Sequence, residues 1–185
     1  MLRQVLPESL FKLQYSFSSG ERVDAVIVTS AGLLCIDSKF PMSNFRQIYT
    51  LPGDAQRHQA KKDFTQDVKR HITSIAGKYL NPHEGTVDVA FMYVPSEAVF
   101  YEITTDPNLT DFASENRIVP VSPATLYAYL EGVLMAYQSK QMQEKSFEIL
   151  KLIKGIQKDY VQVEDGLSIL NRHLTNALWQ LQNRK

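Results

Sequence analysis

Residues 23 to 40 read Val-Asp-Ala-Val-Ile-Val-Thr-Ser-Ala-Gly-Leu-Leu-Cys-Ile-Asp-Ser-Lys-Phe, and this stretch decides the predicted fold. Two runs rich in Val, Ile and Leu, residues 23–28 and 33–40, flank a short segment that ends at Gly32. A Gly at the last position of a tight turn favours a type I hairpin connection. Both runs are apolar on both faces, which is typical of strands that helices cover on either side. The sequence therefore predicts a β-hairpin inside a covered sheet.

Three charged residues, Asp24, Asp37 and Lys39, interrupt these apolar runs. A four-residue turn over residues 29–32 sets a register that places Asp24 directly opposite Asp37, with Lys39 on the same face. Carboxylates so placed have Cβ atoms roughly 4.5–5.5 Å apart, and they destabilise a sheet unless a cation or a proton lies between them. A divalent metal such as Mg²⁺ provides that cation, and Lys39 is placed to orient a water or to stabilise developing charge during phosphodiester cleavage.

Two alternatives to this register stay open at the level of sequence. A three-residue loop with Gly32 in a left-handed bulge pairs Asp24 with Ser38 and puts Asp37 on the opposite face, and hydrophobicity alone does not reject it. The charges are also compatible with strand ends that solvent reaches, where they need no metal.

The charged positions resemble a known nuclease signature. Asp24, followed across the hairpin by Asp37-Ser38-Lys39, resembles the PD-(D/E)XK motif. The wider sequence resembles the RmuC family of bacterial DNA recombination proteins in four segments, in the family's order: Val-Asp-Ala-Val-Ile (23–27), Ile-Asp-Ser-Lys-Phe-Pro (36–41), Phe-Met-Tyr-Val-Pro-Ser-Glu (91–97) and Val-Pro-Val-Ser-Pro-Ala-Thr-Leu (119–126). The resemblance thus covers most of the chain.

This resemblance implies a restriction-endonuclease-like core and a Mg²⁺-dependent deoxyribonuclease, with Mn²⁺ as an alternative metal, that acts on DNA in recombination or repair. In that reading Asp24 and Asp37 hold the metal with the backbone carbonyl of Ser38, and Lys39 assists the attacking water. The catalytic residues are then Asp24, Asp37 and Lys39.

The sequence departs from the nuclease signature at two places. Val23 stands where the signature has its Pro, and such nucleases carry a further Glu on a helix ahead of the first strand, where this chain has only Glu8 and Glu21. We expect the chain to be an excised catalytic-like domain that begins after that Glu. The alternative function is therefore a catalytically weak DNA-binding or scaffold protein on a nuclease fold, and a third is an interaction domain built on the C-terminal helices.

The amino-acid composition and the net charge limit which classes of protein this sequence can represent. The 185 residues are 44% hydrophobic and 22% charged, as in one globular domain. Twenty basic and 20 acidic residues cancel, which excludes a protein that holds nucleic acid by bulk charge and leaves a local basic patch. The single cysteine, Cys35, is expected in the core of a cytoplasmic protein, and no apolar run predicts a membrane contact.

Residues 54–80 form the clearest predicted helix, with apolar residues at three- and four-residue steps and Asp54 as the expected N-cap. Three of its basic residues are candidates for contacts with DNA phosphates: Arg57, Lys61 and Lys69. The alternative is a solvated helix face, which nearby Asp63 and Asp67 favour.

The overall prediction is an α/β domain with a central mixed sheet of about five strands, flanked by helices and followed by a helical C-terminal extension. The nuclease-like domain is assigned to residues 1–160 and the extension to residues 161–185. Residues 106–116 are expected to be loop with at most one helical turn, and Gly155 and residues 161–166 to interrupt the C-terminal helix. Two apolar heptads at 167–181 predict packing on the domain or on a neighbouring copy, which allows a homo-oligomer.

Overall fold

The computed structural model describes residues 1–38, 40 and 43–183. In this part of the chain the strands are β1 (Phe11–Ser16), β2 (Arg22–Thr29), β3 (Gly32–Asp37), β4 (Thr86–Tyr93) and β5 (Ile118–Val121). The α-helices are α1 (Leu2–Val5), α2 (Ser43–Thr50), α3 (Asp54–Tyr79), α4 (Glu97–Thr105), α5 (Pro107–Glu115) and α6 (Pro123–Gln182). Short 3₁₀ turns lie at Glu8–Leu10 and Pro82–Glu84.

The five strands form one mixed sheet in the order β1-β2-β3-β4-β5. β1, β2 and β3 are antiparallel neighbours, whereas β4 and β5 run parallel to β3. The parallel step from β3 to β4 needs a long crossover, and α3 supplies it. The predicted α/β fold with a central mixed sheet, flanking helices and a long C-terminal helix is confirmed.

The central hairpin has the register that the four-residue turn predicts. Thr29 pairs with Gly32, and Ala25 pairs with Ile36, so continuation of the ladder places Asp24 opposite Asp37. The bulged alternative, in which Asp24 pairs with Ser38, is rejected. Because both faces of these strands are apolar and buried, the length of the turn, and not the hydrophobic pattern, sets this register.

The core lies between the sheet and α3. Phe64, Val68, Ile72 and Ile75 recur at steps of three and four on α3 and are all buried against the sheet. Fully burying such a side chain is worth about 1.5–3 kcal/mol, so this stripe fixes how α3 sits on the sheet. The N-cap of α3 is Gly53, one residue before the predicted Asp54.

A helix occupies the segment that the sequence predicts to be loop. α5 begins after Asp106, whose Oδ1 accepts a hydrogen bond from the backbone N–H of Asn108 at 3.0 Å, and Pro107 fills its first turn. Leu109 and Ala113 are the buried residues of this helix. An N-cap followed by Pro is a recognised start signal for a helix, so the prediction of a loop here was wrong.

The C-terminal helix α6 continues without a break through Gly155 and through residues 161–166, where interruptions are predicted. One glycine costs a helix about 1 kcal/mol, which does not end a helix of this length. The chain divides into a compact unit, Met1–Leu134, and a second unit, Met135–Lys185, whereas the sequence places the boundary after residue 160. Within the described part of the chain, none of the helices combines the length and the apolar composition that a bilayer-spanning segment requires.

Candidate functional site

Asp37, at the end of β3, is a deeply buried carboxylate that faces α3. Only 4% of its surface is exposed. Its Oδ1 accepts a hydrogen bond from the Tyr79 hydroxyl at 3.3 Å, and its Oδ2 lies 3.4 Å from Nε2 of His71. His71 and Tyr79 are eight residues apart on α3, so both come from the helix face that packs on the sheet.

The two groups beside Asp37 carry no charge at neutral pH. Burial lowers the pKa of His71, and the attraction of Asp37 offsets this only in part, so the imidazole is neutral although its distance to the carboxylate is that of an ion pair. Nε2 of His71 is buried and has no hydrogen-bond partner among the described residues. Burial, then Asp37 and then Asp24 raise the pKa of Tyr79, so its phenol keeps its proton. The negative charge of Asp37 is thus buried beside uncharged neighbours.

Asp24, on β2, is held by the residue that follows Asp37. Its Oδ2 accepts hydrogen bonds from the backbone N–H of Ser38 at 2.9 Å and from the Ser38 hydroxyl at 2.7 Å. Its Oδ1 accepts from Nε2 of Gln14 at 3.2 Å. Gln14 has a φ of +50°, a left-handed conformation that is rare for a non-glycine residue and that often marks a functional constraint.

The two aspartates lie on neighbouring strands of the hairpin but differ in their contacts and in their access to open space. Asp37 points to α3, whereas Asp24 borders a cavity of about 310 Å³ together with Gln14 and Ser38. Besides burial, the charges of Asp37 and Asp24 both raise the pKa of the Tyr79 hydroxyl. Among the described residues, no group of three or more His, Cys, Asp and Glu side chains has the arrangement of a metal site. Asp24, Asp37 and the Ser38 carbonyl remain the predicted ligands, and Lys39 lies outside the described residues.

The three cations predicted to contact DNA already have contacts within the protein. Arg57 lies 3.6 Å from Asp54, and Lys61 lies 3.6 Å from Glu102 of α4. Nζ of Lys69 lies 5.1 Å from the centre of the Phe112 ring on α5, a cation–π contact. The three positions span about 18 Å of helix, since α-helices rise ~1.5 Å per residue. A phosphate at Arg57 or Lys61 would therefore compete with an exposed ion pair, which is weak.

His71, Tyr79 and Gln14 belong to the surroundings of the two carboxylates, although the sequence does not single them out. His71 and Tyr79 lie on the apolar stripe of α3, and a polar atom at such a position is the signal that could have found them. No pattern in the sequence marks Gln14. Glu97, which follows β4, accepts a hydrogen bond from the backbone N–H of Ala124 at 3.2 Å and caps the start of α6.

Cys35 is expected to resist alkylation as long as the protein is folded. It is 1% exposed, and burial raises the pKa of its thiol from an ordinary 9.0 to about 12. This shift lowers the fraction of reactive thiolate at pH 8 by about 10³-fold. Iodoacetamide labelling at pH 8, followed by mass spectrometry, should be slower by at least this factor in buffer than in guanidinium chloride. Equal rates in the two conditions would show that Cys35 is accessible.

Several curated proteins are similar to this chain, and each is named DNA recombination protein RmuC homolog. The protein from Chlamydia trachomatis serovar D is 27% identical over 166 residues, which are 88% of this chain and 37% of the relative. The protein from Chlamydia muridarum is 26% identical over 163 residues, 86% of this chain and 37% of the relative. The protein from Pseudomonas aeruginosa is 26% identical over 129 residues, 68% of this chain and 28% of the relative.

The chain therefore matches only 28–37% of the length of these relatives. No solved structure matches it significantly. The model of the RmuC family matches residues 1–184, which is nearly the whole sequence. The chain belongs to the RmuC family.

Proposed function

We propose that this chain is a metal-dependent deoxyribonuclease domain of the PD-(D/E)XK type, with a restriction-endonuclease-like core, that acts on cytoplasmic DNA in recombination or repair. The observation that carries the proposal is the hairpin register, in which the position after the Ala25–Ile36 pair would bring Asp24 opposite Asp37. Membership of the RmuC family supports it, because the curated relatives are named for DNA recombination.

The carboxylate pair fits Mg²⁺ in charge and in the type of donor atom. Asp37 is a buried anion beside a neutral imidazole and a neutral phenol, so a cation bound to it would offset an otherwise unfavourable charge. Carboxylate and carbonyl oxygens are the ligands that Mg²⁺ and Mn²⁺ prefer. Asp24, Asp37 and the Ser38 carbonyl would hold the metal, and Lys39 would orient the water. The metal, when bound, lowers the pKa of that water and offsets charge on the phosphate.

In this proposal each of the protein's own groups has a separate part. The N–H and hydroxyl of Ser38 fix the orientation of Asp24. Tyr79 donates to Asp37 and so holds that carboxylate in place. Positioning of this kind reduces the reorganisation needed when the reaction begins. The cavity beside Asp24 leaves that side of the pair open to a phosphodiester.

Incubation of the pure chain with linear single-stranded and double-stranded DNA tests the proposal. Cleavage should occur with Mg²⁺ or Mn²⁺ and stop when EDTA removes the metal. Calorimetric titration of the same chain with each metal gives a readout that does not depend on activity. Failure to bind metal, together with failure to cleave any DNA, would reject the nuclease assignment for this chain.

A second candidate function is a DNA-binding or scaffold protein that keeps the nuclease fold but has little catalysis. The observation that favours it is that the two carboxylates contact different partners, Asp24 with Ser38 and Asp37 with Tyr79. Displacing these partners would weaken metal binding. DNA binding that persists in EDTA, with no cleavage under any metal, would identify this function.

Replacing Arg57, Lys61 and Lys69 together by Ala should weaken DNA binding to a similar degree for every sequence. Each phosphate contact contributes about 0.9 to the slope of log K against log salt, so loss of three contacts should flatten that slope by up to about 3. Fluorescence anisotropy at several salt concentrations measures the slope. The control is the triple variant of Lys12, Arg70 and Lys78, which removes the same charge. Equal effects of the two variants would show that only net charge matters.

A further inference from the structure

The second unit of the chain displays an apolar stripe that nothing in the described structure covers. Nine residues of α6 follow one another at alternating steps of four and three: Ile149, Ile153, Ile156, Tyr160, Val163, Leu167, Leu170, Leu174 and Ala177. We call these nine residues the seam. Its eight larger side chains, all but Ala177, are between 45% and 69% exposed. Because α6 is continuous, the two heptads visible at its end extend upstream to Ile149 without a change of phase.

This spacing is that of a coiled-coil seam. In heptad notation, a to g, the nine residues occupy every a and d position over four heptads, or about 42 Å of helix at ~1.5 Å per residue. The positions farthest from the seam are all charged: Lys151, Lys158, Asp165 and Arg172. Four consecutive heptads reach the length at which such a repeat predicts a coiled coil. Between residues 157 and 173 the flanking e and g positions carry no large apolar side chain, so the seam there is narrow and matches one partner helix, whereas a helix on a globular core has a wider apolar face.

We propose that α6 forms a two-stranded, antiparallel coiled coil with a second copy of this chain. From Ile153 to Ala177 the seam is complementary to itself, because a two-fold rotation centred on residue 165 brings each a position of this segment against a d position. The resulting layers pair Ile153 with the partner's Ala177, Ile156 with the partner's Leu174, Tyr160 with the partner's Leu170 and Val163 with the partner's Leu167. A second copy of the same helix can therefore cover the seam, and no other protein is needed for this.

The residues that flank the seam give the orientation. Leu150 and Leu178 are 56% and 62% exposed at e positions near its two ends. Antiparallel pairing places Leu150 against the partner's Leu178, and the reverse, so both are covered. It also places Asp159 near the partner's His173. At the two-fold axis of the pair, Glu164 of one chain still lies near Glu164 of the other. Parallel pairing would instead place both copies of Asp159 against Glu164, an unfavourable like-charge contact.

Light scattering coupled to gel filtration tests the association. The parent chain should have twice the 21.1 kDa mass of one copy at micromolar concentration. The double variant Leu167→Glu, Leu170→Glu puts charges into the centre of the seam and should be monomeric. The matched control, Ile169→Glu with Trp179→Glu, removes two equally exposed apolar residues outside the seam and should remain a dimer. A monomeric parent, or dissociation of the control as well, would overturn the proposal. Circular dichroism verifies that each variant stays helical.

Disulfide trapping tests the orientation. In the antiparallel pair, Ile156 faces the partner's Leu174, whereas two copies of Ile156 are about 27 Å apart along the axis. A mixture of Ile156→Cys and Leu174→Cys chains should therefore form a covalent dimer on oxidation with diamide, and neither variant should do so alone. The natural Cys35 is buried and does not interfere. Self-linking of the Ile156→Cys chain would overturn the antiparallel arrangement.

Discussion

Replacing Asp37 by Asn is expected to lower Mg²⁺-dependent DNA cleavage by at least about 10²–10³-fold, the typical effect of removing one charge-stabilising group from an active site. The amide keeps the size of the carboxylate and can still accept the hydrogen bond from Tyr79, but it lacks the charge that would hold a metal. The same change removes a buried negative charge that faces a neutral imidazole. Thermal stability should therefore stay the same or rise.

A matched substitution distinguishes the loss of the proposed site from the general effect of removing one negative charge. Asp111→Asn makes the same chemical change at an exposed position of α5 and should cleave DNA at the parental rate. The measurement is kcat/KM at saturating Mg²⁺, accompanied by calorimetric titration of the metal and by thermal unfolding of each variant. If Asp37→Asn cleaves as fast as the parent, another site or a contaminating nuclease is responsible. If it fails to cleave because it has unfolded, the melting curve will show it.

Gly32→Ala should produce the largest loss of stability among the glycine substitutions. Gly32 has a φ of +139°, and a Cβ at this position would lie 2.6 Å from the backbone oxygen of Gly85. The same oxygen accepts the backbone hydrogen bond of Leu33 at 2.8 Å, so it cannot retreat without breaking a contact between β3 and its neighbouring segment. Strain at such a φ alone costs about 1–3 kcal/mol, and the clash adds to it. Against a typical stability of ~5–15 kcal/mol this is a large loss.

The control for this change is Gly20→Ala. Gly20 also has a positive φ, +88°, but an added Cβ there meets nothing within 4 Å. Its cost therefore measures the backbone strain without the clash. Urea unfolding of both variants should give a lower free energy of unfolding for Gly32→Ala than for Gly20→Ala. Equal losses would mean that the Gly85 segment moves aside easily, and the close approach would then have no energetic weight.

The hairpin was predictable because its own residues determine it. The apolar runs and the turn that ends at Gly32 predict the hairpin, whereas the choice between the four-residue turn and the bulged loop needed the observed pairing of Ala25 with Ile36. The apolar stripe of α3 was visible for the same reason. By contrast, α5 was missed because its polar surface outweighed the Asp106-Pro107 start signal, although Leu109 and Ala113 are buried.

The surroundings of the carboxylates were harder to predict, since they depend on how α3 sits across the sheet. A histidine among apolar helix residues gives no indication that Nε2 of His71 lies 3.4 Å from Asp37. The left-handed backbone of Gln14 is likewise invisible in its residue type. The continuity of α6 was underestimated because single glycines were given too much weight against a long helical repeat. Lys39 stays a prediction from sequence, because it lies outside the described residues.

The contacts of the two carboxylates are separated by very different lengths of chain, and this has a consequence for the order of folding. Asp24 and Ser38 are 14 residues apart, whereas Tyr79 and Asp37 are 42 apart. Closing a short loop costs less entropy than closing a long one, and isolated hairpins form within about 1–10 μs. The hairpin can thus bring the two charges together before α3 docks. In that order of events both carboxylates would still be hydrated when the hairpin forms, and Asp37 would lose its water only when α3 packs over it.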